Sequence, residues 1–152
     1  MVFQKILVAV DGSPSSDHAA DVAVEIASKF GAELHAVYVI HVPEVPALRA
    51  EADSSAKEGE EDAQFALARV VKQAGLADVS IQSRVEYGHV ADTIVKMTTG
   101  ESFDLAILGS RGQSPPRRFL LGSVSDAVVH HAACPVLIVK SPTLAGAPAP
   151  SA

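Results

Sequence analysis

The sequence predicts a single α/β domain, a parallel sheet of five strands with helices on both faces. Five short apolar runs alternate with stretches of helical periodicity. The runs are apolar at consecutive positions rather than alternate ones, as strands covered on both faces are. The chain has 152 residues, 48% of them hydrophobic, which suits one core large enough to fold without staples.

The first strand is Lys5 to Val10, carrying Ile6, Leu7, Val8 and Ala9. Asp11-Gly12-Ser13-Pro14 is a turn, with Ser13 as N-cap and Pro14 at the first helical position. Ala20, Ala23, Val24 and Ala27 recur at helical spacing up to Phe30, and Gly31 ends that helix. Leu34 to Val42 is the second strand, which Pro43 and Pro46 keep from extending. Val42 to about Lys57 reads as an irregular polar connection, long enough for a lid. A second helix runs from about Ser55 with Ala63, Ala66, Leu67, Val70, Val71 and Ala74 on one stripe, closed by Gly75. Val79 to Val85 is the third strand, and Gly88 marks a turn. A short helix passes through Ala91, Ile94, Val95 and Thr98 to Gly100. Phe103 to Leu108 is the fourth strand, Ser123 to about Ala133 the last helix, and Pro135 to Val139 the last strand. Residues 1–140 form the domain; Ser141 to Ala152, rich in Pro, Ala and Ser, reads as a disordered tail.

Composition excludes several functions. The single cysteine, Cys134, rules out an intramolecular disulfide and fits a reducing, cytoplasmic setting. Met1 to Val10 lacks the basic head and cleavage site of a signal peptide, and no apolar run approaches the roughly 20 residues of a membrane helix. The net charge of -6 argues against nucleic acid.

The chemistry concentrates after the fourth strand. Gly109-Ser110-Arg111-Gly112 is followed by nine residues and then Gly122-Ser123, where a helix opens. Bare backbone lets N–H groups approach a phosphate, and the helix start adds a positive dipole end. Arg111, Arg117 and Arg118 lie in this loop, and Gly109 to Ser123 contains no acid. In parallel sheets, ligands bind beyond the carboxyl ends of strands where strand order reverses. Asp11 follows the first strand and Gly109 the fourth, so if these strands are neighbours, both face one crevice. The expected ligand is a nucleotide. Plainer readings stand beside this one: Asp11-Gly12 as a turn, Gly109 and Gly112 as turn glycines, the arginines as a solvated loop, and Ser123 as an N-cap.

His130, His131 and Cys134 suggest a metal set, but no further ligand joins them, and histidines suit a helix C-terminus. Glu58, Glu60, Glu61 and Asp62 read as a solvated first helical turn. The Gly-x-Ser-x-Gly elbow, the Walker loop and the dinucleotide Gly-x-Gly-x2-Gly are absent, and no base stands out, so no enzyme is expected beyond, at most, slow ATP hydrolysis or autophosphorylation.

Taken together, Gly109-x2-Gly112-x9-Gly122-Ser123, the opening Ile6 to Ser13 and the ending Gly122 to Val139 resemble the universal stress protein family, in its ATP-binding branch. The resemblance spans about Phe3 to Lys140. It implies a flavodoxin-like, HUP-type three-layer sandwich with strand order 3-2-1-4-5, which places the first and fourth strands side by side. It implies that Asp11 bonds the ribose hydroxyls, that backbone around Ala9 and Val10 lines the adenine pocket, and that Val39 pairs with adenine through main-chain groups. Gly109 and Gly112 would admit ribose and phosphates, with Leu108 and Arg111 among the binding residues. Gly122, Ser123 and Val124 would hold the phosphates, with Mg2+ or Mn2+ bridging phosphate oxygens. Pro115 and Pro116 depart from the family's commoner pattern and stiffen the loop.

The last strand, Pro135 to Val139, reads as a sheet edge that pairs antiparallel with a second copy, closing a homodimer. The whole is read as a cytoplasmic ATP-binding stress sensor or regulator with an unidentified protein partner. A cyclic AMP-binding member, a structural stress protein acting through dimerisation alone, and an enzyme such as a nucleotide hydrolase are the alternatives.

Overall fold

The five apolar runs form one parallel sheet: β1 (Lys5–Ala9), β2 (Glu33–His41), β3 (Ile81–Gly88), β4 (Leu105–Gly109) and β5 (Val136–Val139), in the order β3-β2-β1-β4-β5. They are joined by α1 (Pro14–Phe30), α2 (Pro46–Leu76), α3 (Val90–Gly100) and α4 (Ser123–His131). The computed structural model describes residues 3–43, 46–111 and 121–141, with backbone alone over residues 46–56. The expected tail, apart from Ser141, lies outside the described residues.

Strand parity sorts the core into two layers. Ile6, Val8, Val10, Leu34, Ala36, Leu105 and Ile107 pack against α1 and α2, where Ala20, Ala23, Ala27, Leu67 and Val70 face them. Leu7, Val37, Val39, Ala106 and Leu108 pack on the other face, with Ile94 and Met97 of α3 and Val128 of α4. Both faces of the central strands are thus covered, which is why these runs are apolar throughout.

The ends of α1 follow the sequence expectation. The Ser13 hydroxyl accepts the Ser16 N–H, Pro14 opens the helix, and Gly31 closes it at φ 64°. The start of α2 corrects it. Most of the segment expected to be irregular is helix, beginning at Pro46 rather than near Ser55. Pro46 limits the preceding strand, but proline also suits a helix's first position, and Ala47, Leu48, Arg49, Ala50, Glu51 and Ala52 are good helix formers. Nor does Gly75 close α2. The chain turns at Asp78, with φ 56°, where the Val79 N–H reaches Ala74 O at 2.9 Å and the Asp78 N–H reaches Gly75 O at 3.3 Å. This is a Schellman stop. Val79 is buried as part of it, so β3 starts later than expected, at Ile81, and continues to Gly88.

Candidate functional site: the crevice beyond β1 and β4

β1 and β4 are neighbours, with Ile6 opposite Leu105 and Val8 opposite Ile107. From their carboxyl ends the chain leaves toward opposite faces, β1 into α1 and β4 toward α4. A crevice opens at such a divergence. Asp11 stands just past β1, and Ser110 and Arg111 just past β4.

Asp11 does the work of a turn residue from this position. Its Oδ1 accepts the Ser13 N–H at 2.9 Å, and its own N–H donates to Ser16 Oγ at 3.2 Å. Ser16 Oγ donates in turn to Ser13 O at 3.1 Å. Gly12 supplies the left-handed bend, φ 80°. The half-buried Tyr38 titrates above a phenol's ordinary value, through burial first, then the carboxylates of Asp62 and Asp11.

Val39 presents its backbone at the crevice. The odd-numbered residues of β2 turn their main-chain groups to β1, since the Glu33 N–H bonds Gln4 O at 2.8 Å and Val37 O accepts the Val10 N–H at 2.9 Å. β1 ends at Ala9, so the two-residue period carries the N–H and C=O of Val39 past the end of that strand. The Val39 side chain is buried against the α3–α4 layer. Ala9 is half-buried against that same layer, Leu108 is buried in it, and Val10 is buried against α1.

Gly109 has a packing role that its spacing does not reveal. A Cβ there would stand 2.5 Å from Ser15 Oγ and 2.8 Å from the Ser15 carbonyl carbon. Its bareness therefore admits the first turn of α1, and the space a side chain would enter is filled by protein. Ser125 Oγ donates to Gly109 O at 2.7 Å from the α4 side, and the Arg111 N–H lies 3.5 Å from Ser15 Oγ. The Gly122 N–H bonds Ser110 O at 2.8 Å, tying the two ends of the loop together.

Gly122 is the N-cap of α4 and Ser123 its first helical residue, which corrects the reading of Ser123 as a cap. Gly122 has no side chain with which to cap this helix start, in contrast to α1, whose first turn is closed by Ser13. The N–H groups of Ser123 and Val124 belong to that first turn. Gly112, Pro115, Pro116, Arg117 and Arg118 lie outside the described residues. Away from the crevice, His130 lies 3.6 Å from Asp126, and the Cys134 thiol is pushed above its ordinary pKa by burial first, then by Asp104.

Sequence reasoning missed Ser15, Ser16 and Ser125, all buried and all bonded to the backbone of the turn or the loop. Only their places, within the first turns after Asp11-Gly12 and Gly122, hinted at them.

The Universal stress protein family model matches residues 3–140. A universal stress protein of Methanocaldococcus jannaschii is 37% identical over 143 residues, covering 93% of this chain and 84% of that protein. The solved structure of UspA from Lactobacillus plantarum superposes with a TM-score of 0.67 at 29% identity, covering 91% of this chain and 99% of that one. A universal stress protein solved in complex with cAMP gives 0.69 at 26% identity, covering 93% and 100%.

Proposed function

This chain belongs to the universal stress protein family, and on that premise we propose that the crevice beyond β1 and β4 binds an adenine nucleotide, ATP with Mg2+ or Mn2+ foremost. The observation that carries this reading is the start of α4, whose N-cap Gly122 brings no side chain to its first turn, at the same end of the sheet as Asp11. An anion gains both N–H donors and the helix dipole there.

The remaining groups suit the rest of the ligand. A carboxylate at Asp11 accepts hydrogen bonds from ribose hydroxyls. One N–H and one C=O at Val39 match the amino group and ring nitrogen of adenine, so the base is read by backbone. Gly122, Ser123 and Val124 hold phosphate, Arg111 adds positive charge, and Ala9, Val10, Leu108 and Gly109 form walls. A divalent ion arriving with the nucleotide would take its ligands mainly from phosphate oxygens and offset their charge. No residue is assigned a catalytic step. The biological reading is a nucleotide-dependent regulator, paired with a second copy through β5, in a reducing cytoplasm that suits one free thiol.

The relative solved with cAMP favours a second reading, a cyclic nucleotide ligand. In that ligand only the 2′-hydroxyl remains for Asp11, and one phosphate replaces three.

Titration calorimetry of nucleotide-stripped protein tests the proposal, with ATP in the presence and absence of magnesium, then cAMP. One ATP per chain, tightened by magnesium, is the expected result. Preference for cAMP selects the second reading. Heat from neither ligand makes the glycine loop purely structural.

A further inference from the structure

We infer that Ser16 positions Asp11 for ribose recognition, an inference that rests on the nucleotide reading above. Ser16 is 4% exposed and has no route to a ligand of its own. Its hydroxyl takes the Asp11 N–H at 3.2 Å and gives its proton to Ser13 O at 3.1 Å. Its N–H is held by Ser13 Oγ at 3.2 Å, while the Ser13 N–H fixes Asp11 Oδ1 at 2.9 Å. The backbone of Asp11 is thus fixed by Ser16 and its carboxylate by Ser13, and the two serines are bonded to each other. Three residues close one network on the rigid first turn of α1.

A hydroxyl is the smallest side-chain group that can accept one hydrogen bond and donate another. Alanine at position 16 does neither, so it releases the Asp11 backbone and lets a chemically intact carboxylate drift from its position. A vicinal diol needs its acceptor held within about half an ångström of the productive position. Loss of Ser16 should therefore reduce recognition of the ribose hydroxyls and spare that of phosphate and base.

The test compares ATP with 2′,3′-dideoxy-ATP, which lacks both hydroxyls, on the full chain. The wild type should prefer ATP by roughly ten- to a hundredfold, the worth of hydrogen bonds to a charged group. In Ser16→Ala the preference should fall to within about threefold, with dideoxy-ATP affinity unchanged. Ser16→Cys keeps the volume, hydrogen-bonds weakly, and decides the matter if the alanine variant does not fold. Ser16→Thr, which restores the hydroxyl, should recover most of the preference; a merely structural role predicts equal loss for both nucleotides. An undiminished ATP preference in Ser16→Ala or Ser16→Cys overturns this inference alone. A wild type that binds neither nucleotide overturns the nucleotide reading, and this inference with it.

Discussion

A Cβ built on Gly109 would meet three atoms of Ser15: Oγ at 2.5 Å, the carbonyl carbon at 2.8 Å and the carbonyl oxygen at 2.9 Å. The end of β4 is therefore pressed against the first turn of α1, and only glycine allows that approach. Because two of the three contacts are backbone, rotating Ser15 cannot relieve them. Gly109→Ala should cost about 1–3 kcal/mol, the range for forced overpacking. Thermal unfolding measures this. Ser15→Ala, which removes only the hydroxyl, should fail to rescue the variant. Full recovery in the double variant would show that the hydroxyl alone made the contact.

Asp78 stops α2 in a left-handed conformation, φ 56°, that glycine adopts without strain. Asp78→Gly should stabilise the domain by about 0.5–1 kcal/mol, because relief of backbone strain exceeds the entropy that glycine adds to the unfolded chain. A small rise in melting temperature is expected, and a fall would show that the Asp78 side chain contributes more than its backbone costs.

These two positions show what the sequence reveals and what it hides. The strands were legible because buried parallel strands are apolar at consecutive positions, whereas their order came only from the family resemblance. Asp11 was legible from its place after β1. The function of Gly109 was not: spacing says that a side chain is missing, but only parity within β4, where Leu105 and Ile107 face α1, says where it would have pointed. Glycine spacing likewise offered Gly75 as the stop for α2, while the turn falls three residues later, at an aspartate. Pro46 is compatible with the end of a strand or the start of a helix, and local sequence does not choose between them. Ser16 escaped notice because a serine after an N-cap is unremarkable until its partners are known.

Tyr38 gives a pH test. Its phenol is raised by burial first, then by Asp62 and Asp11, whereas in the unfolded chain it titrates near pH 10. The raised folded value means that its contribution to stability is fully present below the unfolded value. It is lost as pH rises through the folded value, because the unfolded chain gives up its proton first. Two tyrosines and no tryptophan make phenolate absorbance easy to read. The midpoint should lie above pH 10 in the folded protein, and Tyr38→Phe should lessen the fall in melting temperature across that range. The remaining signal, from Tyr87, should also titrate high, since its hydroxyl donates to Glu60 at 2.8 Å. An unchanged alkaline fall in Tyr38→Phe would remove Tyr38 as its cause.

The proposed pairing of two chains makes a prediction at single-residue spacing on β5, an edge of the sheet. Pro135 O accepts the Ala106 N–H at 3.0 Å and Val139 O the Ser110 N–H at 2.9 Å, so odd-numbered residues of this strand turn their main chain toward β4. Val136 and Ile138 turn theirs to the open edge. An antiparallel partner would bond to those two residues. Ile138→Pro removes an outward N–H and no bond to β4, the one kind of place where a strand tolerates proline. It should convert a dimer to a folded monomer, read by light scattering and circular dichroism. Leu137→Pro removes a bond to β4 instead and should unfold the edge of the sheet. A dimer that survives proline at both Val136 and Ile138 must be joined elsewhere, because those two residues supply the outward backbone groups of β5.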